Sequence, residues 1–311
     1  MSNKLIVILG STCTGKTSLA IKLCKELNGE IISADSRQVY KGMDIGTGKL
    51  PLRETAITYK KGEGFWKIDG IKIRCYDLVT PNQNFTVVDW AKVAKAEIES
   101  AIRRGKTPIV VGGTGFYIDV LTGRATVSGV SPNSNLRNSL QALSTDQLLE
   151  KLKALNPERI RTIDKNNPIR LMRAIEIACE TKSKMNENLS YNCEPVFIGL
   201  TTSRDVLYKR ADSFVSNLLN LGILTEIENL VNSGYEKTKP MTSLIYSEFY
   251  NFFQRHDSLE NTITKSNFDL HAYIRRQLTW FNRNPDVLWF NVCDKNLYEK
   301  VKLAIQSNYG T

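Results

Sequence analysis

Residues 5–27 constrain the fold of this chain more than any other stretch. Leu5-Ile6-Val7-Ile8-Leu9 is a short apolar, β-branched run, the composition of a strand buried on both faces of a parallel sheet. Residues 18–27 place apolar side chains at 19, 20, 23, 24 and 27, which is a helical spacing. Between them lies Gly10-Ser11-Thr12-Cys13-Thr14-Gly15-Lys16-Thr17, which fits G-x-x-x-x-G-K-[ST]. Strand, glycine loop and helix in that order form the context of a phosphate-binding loop. Gly10 and Gly15 let the backbone curl with its N–H groups inward, and the helix N-terminus adds partial positive charge. In such a loop Lys16 reaches the outer phosphates and the Thr17 hydroxyl serves Mg²⁺. The bland alternative is a chance glycine turn, which strand, helix, Lys and Thr together disfavour. The loop says that a polyphosphate binds and leaves open what happens to it.

The rest of the chain repeats the strand–crevice–helix theme before changing character. A second strand is expected at 30–34, ending at Asp35. In an open parallel sheet the carboxyl ends of the strands line one crevice, so Asp35 faces the phosphate loop. Three readings of it stand: a catalytic group, a helix cap, or an outer ligand of magnesium. Lys60-Lys61-Gly62-Glu63-Gly64 reads as an exposed turn, and 65–75 alternates around Asp69-Gly70 as a β-hairpin. A helix is expected at 87–103. A strand at 107–111 delivers Gly112-Gly113-Thr114-Gly115-Phe116-Tyr117 to the crevice, where the glycines admit close backbone approach. Thr114 is either a diphosphate contact or part of a plain strand-to-helix turn.

From about residue 124 to 190 no strand pattern is convincing, and helices are expected near 133–142, 145–154 and 168–180. Asn156-Pro157 and Asn167-Pro168 break the periodicity. Arg170 and Arg173, spaced i, i+3, share a helix face, either as a solvated basic surface or as a phosphate grip. A strand at 195–200, helices at about 203–221, 222–233 and 267–282, a strand at 288–290 and a helix at 295–306 complete the chain. The 241–256 segment is rich in aromatics. Basic residues interleave with Trp280 and Phe281, a pattern of nucleic-acid surfaces, although composition alone favours core packing of the two rings.

The fold class expected is therefore α/β: a mainly parallel sheet flanked by helices and carrying a phosphate loop, in 1–123 and 191–311, with an inserted all-helical domain at 124–190. The 311 residues, 41% hydrophobic and 24% charged, suffice for two domains. A net charge of +10 suits a polyanionic partner. Six cysteines with no C-x-x-C pair, and only two histidines, argue against a zinc site or a disulfide framework and for a cytoplasmic protein. No apolar run approaches the roughly 18 residues that span a membrane.

Taken together, the phosphate loop, Ser33-Ala34-Asp35-Ser36-Arg37-Gln38-Val39-Tyr40-Lys41-Gly42-Met43-Asp44-Ile45-Gly46-Thr47, Val111-Gly112-Gly113-Thr114-Gly115-Phe116-Tyr117, Asn167-Pro168-Ile169-Arg170-Leu171-Met172-Arg173-Ala174-Ile175-Glu176 and Arg276-Gln277-Leu278-Thr279-Trp280-Phe281 resemble the tRNA dimethylallyltransferases. The resemblance covers about residues 5–290. It implies transfer of a dimethylallyl group from dimethylallyl diphosphate to the exocyclic N6 of the adenine just 3′ of the tRNA anticodon. Residues 10–17 would hold the diphosphate, with Mg²⁺ on Thr17. Asp35 would be the general base, and Thr114 and Arg210 would contact the diphosphate or orient the amine. Ser36, Arg37, Gln38, Arg137, Ile169, Arg170, Leu171, Met172, Arg173, Arg275, Arg276, Gln277 and Trp280, with Asp35, would touch the anticodon stem-loop. A monomer is expected.

The chain departs from the family at several places. Arg74-Cys75-Tyr76-Asp77 stands where a histidine-bearing segment is usual. Leu244-Ile245-Tyr246-Ser247-Glu248 lacks the family's glycine, a second arginine after Arg210 gives way to Ser213-Phe214, and Asn166-Asn167 replaces Asn-Asp. These changes fall mostly in the half expected to contact tRNA. Rival classes are an adenylate isopentenyltransferase using a free nucleotide, a small-metabolite kinase, and a nucleic-acid-binding protein with a vestigial phosphate loop.

Overall fold

The computed structural model describes residues 4–51, 57–130, 133–180 and 189–309. The N-terminal apolar run forms β1 (Lys4–Gly10), buried from Leu5 onward. The phosphate-loop sequence leads into α1 (Lys16–Glu26), and β2 (Gly29–Ser33) follows, buried throughout. Three short strands come next: β3 (Tyr59–Gly62), β4 (Phe65–Ile68) and β5 (Ile71–Arg74). α2 (Val87–Arg103) starts in a capping box, in which the side chains of Thr86 and Asp89 each accept the other's backbone N–H. β6 (Thr107–Gly112) and α3 (Gly115–Leu121) complete the first part.

The strands lie in one eight-stranded sheet of order β3-β4-β5-β2-β6-β1, continued by β7 (Glu194–Thr201) and β8 (Val287–Asn291). From β5 to β8 every neighbouring pair is parallel; only β3–β4 and β4–β5 are antiparallel. β1 sits between β6 and β7, pairing Ile8 with both Val111 and Ile198. The loops after β1, β2 and β6 therefore leave the same edge of the sheet. Ile6, Ile8, Leu23, Ile31, Ile109 and Ile198 form the centre of a cluster with Val301 and Ile305. Each such side chain contributes roughly 1.5–3 kcal/mol by leaving water, and Ile8→Ala would cost about 2–5 kcal/mol.

Residues 126–188 form one unit, and 1–125 with 189–311 form another. The smaller unit contains α4 (Ser134–Gln141), α5 (Thr145–Leu155), a 3-10 turn at Pro157–Arg161 and α6 (Pro168–Cys179). Asn133, Ser144, Asn156 and Asn167 each cap the element that follows, accepting a backbone N–H. The two Asn-Pro breaks thus start elements rather than only ending them. Part of the stretch read as helical, 131–132 and 181–188, lies outside the described residues. In the larger unit the chain continues through α7 (Arg204–Leu221), α8 (Ile223–Asn232), α9 (Leu244–Phe253), α10 (Leu259–Phe281) and α11 (Leu297–Tyr309).

Two readings need correction. Residues 60–62, expected in a turn, belong to β3, and only Glu63-Gly64 turns. Tyr59, Lys60 and Lys61 are all exposed on this edge strand, so no inward–outward alternation marks it. α10 begins eight residues before the expected start at 267. Its buried stripe is Thr262, Ser266, Leu270, Ile274, Gln277 and Phe281, a helical period in which the first two members are polar. Among the described residues no helix is long and apolar enough to cross a membrane.

Candidate functional site

The loop after β1 is shaped by its glycines. A Cβ on Gly10 would lie 2.4 Å from the Leu200 carbonyl oxygen of β7, so only glycine fits there. Within the loop the Thr14 hydroxyl donates to the Ser11 carbonyl at 2.8 Å, and the Lys16 ammonium donates to the same oxygen at 2.6 Å. Burial pushes the Lys16 ammonium down to about 8, against the pull of Asp35 and Cys13. Cys13 holds a left-handed φ of 63°, unusual for a residue with a side chain. Burial pushes its thiol up, although Lys16 and Arg210 oppose the shift.

Asp35 follows β2 in a tight turn. Its carboxylate accepts the Arg37 N–H at 2.8 Å, and the Ser36 N–H donates to the Thr114 hydroxyl at 3.0 Å. Gln38 has both ends of its amide engaged. It accepts from the Ser33 hydroxyl at 2.8 Å and donates to the carbonyls of Thr47 at 3.2 Å and Gly48 at 3.3 Å. The 44–48 loop is thereby tied to the Asp35 turn. From its other side the loop is gripped by Glu226 of α8, whose buried carboxylate accepts the N–H groups of Asp44, Ile45 and Gly46 and the Tyr246 hydroxyl. Burial pushes the Glu226 carboxyl up, and those four hydrogen bonds pull against it. Lys49, fully buried, is held by Asp44, Asp77 and the Tyr40 carbonyl, and Trp66 of β4 donates to Asp77.

The glycine run after β6 and the late Arg-Gln-Leu-Thr-Trp-Phe block turn out to interlock. A Cβ on Gly113 would strike the Gln277 amide nitrogen at 2.3 Å, and one on Gly115 would strike the Trp280 ring at 2.2 Å. The close approach anticipated for a ligand is taken here by α10. Gln277 accepts the Thr12 N–H and donates to the Gly113 carbonyl, both at 2.9 Å, stitching the first loop to the third. Trp280 donates to Asp119 at 2.8 Å and meets Phe116 edge-on. Gln277 and Trp280 thus serve a structural role as well, Gln277 buried among the residues that line the cavity between these loops and Trp280 half-buried. Thr114 takes a bracing place beside them, at the Asp35–Ser36 turn, and is not among the residues lining the cavity.

These loops enclose a cavity of about 700 Å³. Its lining is mixed: Lys16, Thr17, Asp35, Arg37, Gln38 and Arg210 are polar, and Val206, Phe214, Ile245 and Leu270 are apolar. Tyr246 and Tyr273 line it too, and burial, followed by the Asp35 charge, pushes the Tyr273 phenol up. Leu244, at its rim, holds φ 47° in the first turn of α9. Backbone strain of this kind collects at functional sites. A cavity lined by cations, a carboxylate and apolar side chains suits an ester of diphosphate with a hydrocarbon group. Hard oxygen donors such as the Thr17 hydroxyl suit Mg²⁺ arriving with phosphate. Among the described residues no group of three His, Cys, Asp or Glu forms a cation cage.

In the helical unit the sequence-selected arginines differ from one another. Glu176, buried, accepts from Arg137 at 2.8 and 2.9 Å, from Arg173 at 3.0 Å and from the Asn133 N–H at 2.9 Å. Burial pushes its carboxyl up, but these hydrogen bonds outweigh it and hold the group below the ordinary glutamate range. Arg173 also donates to the Val130 carbonyl at 2.6 Å. Leu171, expected to touch RNA, is sealed in a core with Leu140, Leu148, Leu152 and Ile175; that expectation is corrected by its burial. Met172 packs against the same core. Ile169 and Arg170 are exposed, with Arg170 3.6 Å from Asp164. On α10, Arg275 and Arg276 are exposed.

Sequence reasoning missed Glu226, Tyr246, Tyr273 and the apolar lining. Glu226 had a signal: an acid on the stripe of α8 whose other members are Ile223, Ile227 and Leu230. Tyr246, Ile245 and Phe214 stood in segments compared with the family, and Tyr273 had no signal.

Comparison with known proteins adds an independent line. A family model described as IPP transferase matches residues 38–284, and one described as isopentenyl transferase matches residues 3–59. The tRNA dimethylallyltransferase of Anoxybacillus flavithermus is 35% identical over 307 residues, spanning 96% of this chain and 94% of its own. Among solved structures, the tRNA isopentenylpyrophosphate transferase of Bacillus halodurans has a TM-score of 0.69 and 30% identity over 99% of this chain and 98% of its own. A eukaryotic dimethylallyltransferase described as acting on tRNA has a TM-score of 0.77 and 25% identity, over 99% of this chain and 79% of its own.

Proposed function

The chain belongs to the IPP transferase family of tRNA dimethylallyltransferases, and from that premise we infer that it moves a dimethylallyl group from dimethylallyl diphosphate to N6 of the adenine 3′-adjacent to the tRNA anticodon. The observation that carries this reading is the mixed lining of one cavity, in which Lys16, Asp35 and Arg210 stand together with Phe214, Ile245 and Leu270.

The diphosphate lies against the N–H groups of the 10–17 loop and the Lys16 ammonium. Thr17 would hold Mg²⁺, which supplies further charge neutralisation on the diphosphate when bound. As the allylic C–O bond breaks, its electron pair leaves with the diphosphate. Lys16 and Arg210 stabilise the charge that grows there. An allylic carbon tolerates positive charge, so bond breaking can run ahead of attack. The adenine N6 lone pair forms the new C–N bond, and its surplus proton passes to the Asp35 carboxylate. The Arg37 N–H and the Gln38 tie hold that carboxylate in its turn. The target base leaves its stack to reach the cavity. Exposed Arg170, Arg275 and Arg276 supply cations for the RNA backbone. Six free thiols accord with a cytoplasmic setting.

Incubation with tRNA, dimethylallyl diphosphate and Mg²⁺, followed by mass spectrometry of the nucleosides, tests the reading. The expected product is dimethylallyl-adenosine in tRNA. Prenylation of free adenine nucleotide alone, or phosphate transfer from ATP, would overturn it.

A further inference from the structure

The search outside the reaction centre leads to one buried acid. Glu226 is not among the residues lining the cavity, yet Oε2 accepts the Asp44 and Ile45 N–H groups, each at 2.8 Å. Oε1 accepts the Gly46 N–H at 3.2 Å and the Tyr246 hydroxyl at 2.6 Å. Three successive backbone N–H groups converging on one point form a nest, a shape that takes an anion. Here the protein fills its nest with its own carboxylate, 8% exposed.

The consequence runs through the loop the nest belongs to. Residues 46, 47 and 48 form part of the cavity wall. Their N–H side is held at 44–46 by Glu226, and the carbonyls of Thr47 and Gly48 are held by Gln38. Gln38 lies one residue beyond Arg37, whose N–H fixes the Asp35 carboxylate. Glu226 is therefore joined to Asp35 through a chain of hydrogen bonds with the loop as its middle link. The Asp44 side chain is engaged separately by Lys49 and Lys61, so Glu226 acts on backbone and not on that ion pair.

We propose that Glu226 is a positioning residue for the transfer reaction, holding the 44–48 wall and, through Gln38, the Asp35 carboxylate in place. The proposal rests on the functional reading above. Glu226→Gln keeps the size of the side chain but turns one acceptor into a donor, so at least one of the four hydrogen bonds is lost.

Two measurements test it, the first without any need for activity. Amide hydrogen exchange in Glu226→Gln is expected to quicken at residues 44–46 and also at Arg37, while the β6 amides stay protected. Loss of protection confined to 44–46 would overturn the proposal. The second is a kinetic cycle with Asp35→Asn. Glu226→Gln should lower kcat roughly ten- to hundredfold, the scale of a misplaced catalytic group, with the KM for dimethylallyl diphosphate nearly unchanged. In the Asp35→Asn background the same change should cost less than about threefold more, because the group it positions is gone. Losses that simply multiply would mean that Glu226 only supports folding. Should Glu226→Gln fail to fold, Tyr246→Phe removes one bond of the four. A smaller fall in kcat with the same non-additivity is then expected, and additive behaviour would overturn the proposal. Wild-type activity in the same assay reports separately on the functional reading.

Discussion

In the α/β unit the charged side chains picked out by motif line a cavity, whereas in the helical unit two of the three arginines picked out by motif close on a buried acid. Lys16, Asp35 and Arg210 face the space where a ligand fits. Arg137 and Arg173 are spent on Glu176, whereas Arg170 is exposed and its ion pair, at 3.6 Å, is with the likewise exposed Asp164. The same residue types in the same family-like blocks thus do different work. Burial of a partner, rather than membership of a motif, decides which charge is available to a substrate.

The contrast can be broken or sharpened by substitution. The largest effect is expected at Asp35. Asp35→Asn keeps the shape and one acceptor oxygen but cannot take the amine proton, so kcat should fall about 10²- to 10⁴-fold, with the KM values for both substrates little changed.

Lys16→Ala removes a charge-assisted contact to the leaving group, worth about 1.5–3 kcal/mol, and calorimetry should show diphosphate affinity about ten- to hundredfold weaker. Because Lys16 loses its proton near pH 8 in the free protein, and an anion favours its charged form, wild-type affinity should hold below that pH and decline above it. The alanine variant should lack this decline.

In the helical unit the expected loss is of stability. Arg173→Ala removes one of the four hydrogen bonds to the buried Glu176 carboxylate, at about 1–3 kcal/mol. The Glu176 carboxyl is held below its ordinary range. The stability it contributes is therefore complete above about pH 4.3, the ordinary glutamate value, and is lost as pH falls through its folded value. Thermal melts of wild type and Arg173→Ala between pH 3 and 7 check both points. A variant that melts like wild type would return Arg173 to the surface class.

The smallest effect is expected at Arg170. Arg170→Ala should leave the melting temperature unchanged but flatten the salt dependence of tRNA binding by about one unit of slope. An unaltered slope would make it a solvated face like any other.

How much of this was legible in the sequence follows from which interactions are local. β1, β2, β6 and β7 are apolar runs, and α1 and α2 carry helical periods, so their places could be read directly. The N-terminal half of α10 could not, because Thr262 and Ser266 occupy its buried stripe. Nor could the lysine-rich β3, exposed on an edge. At the site, the residues of each loop were visible, but their partners were not. The Gln277–Thr12 bond spans 265 positions and the Glu226–Asp44 bond 182, separations that no period or spacing encodes. Consequently the structural tie that Gln277 and Trp280 make across the crevice could not be read from their block.

The central claim is that Asp35 takes the proton from the adenine amine and does not serve Mg²⁺. A magnesium titration of Asp35→Asn at saturating tRNA and dimethylallyl diphosphate tests it most directly. The account predicts that turnover stays about 10²- to 10⁴-fold low at every Mg²⁺ concentration, with diphosphate affinity intact. Recovery to near wild-type turnover at high Mg²⁺ would contradict it and make Asp35 a metal-side residue.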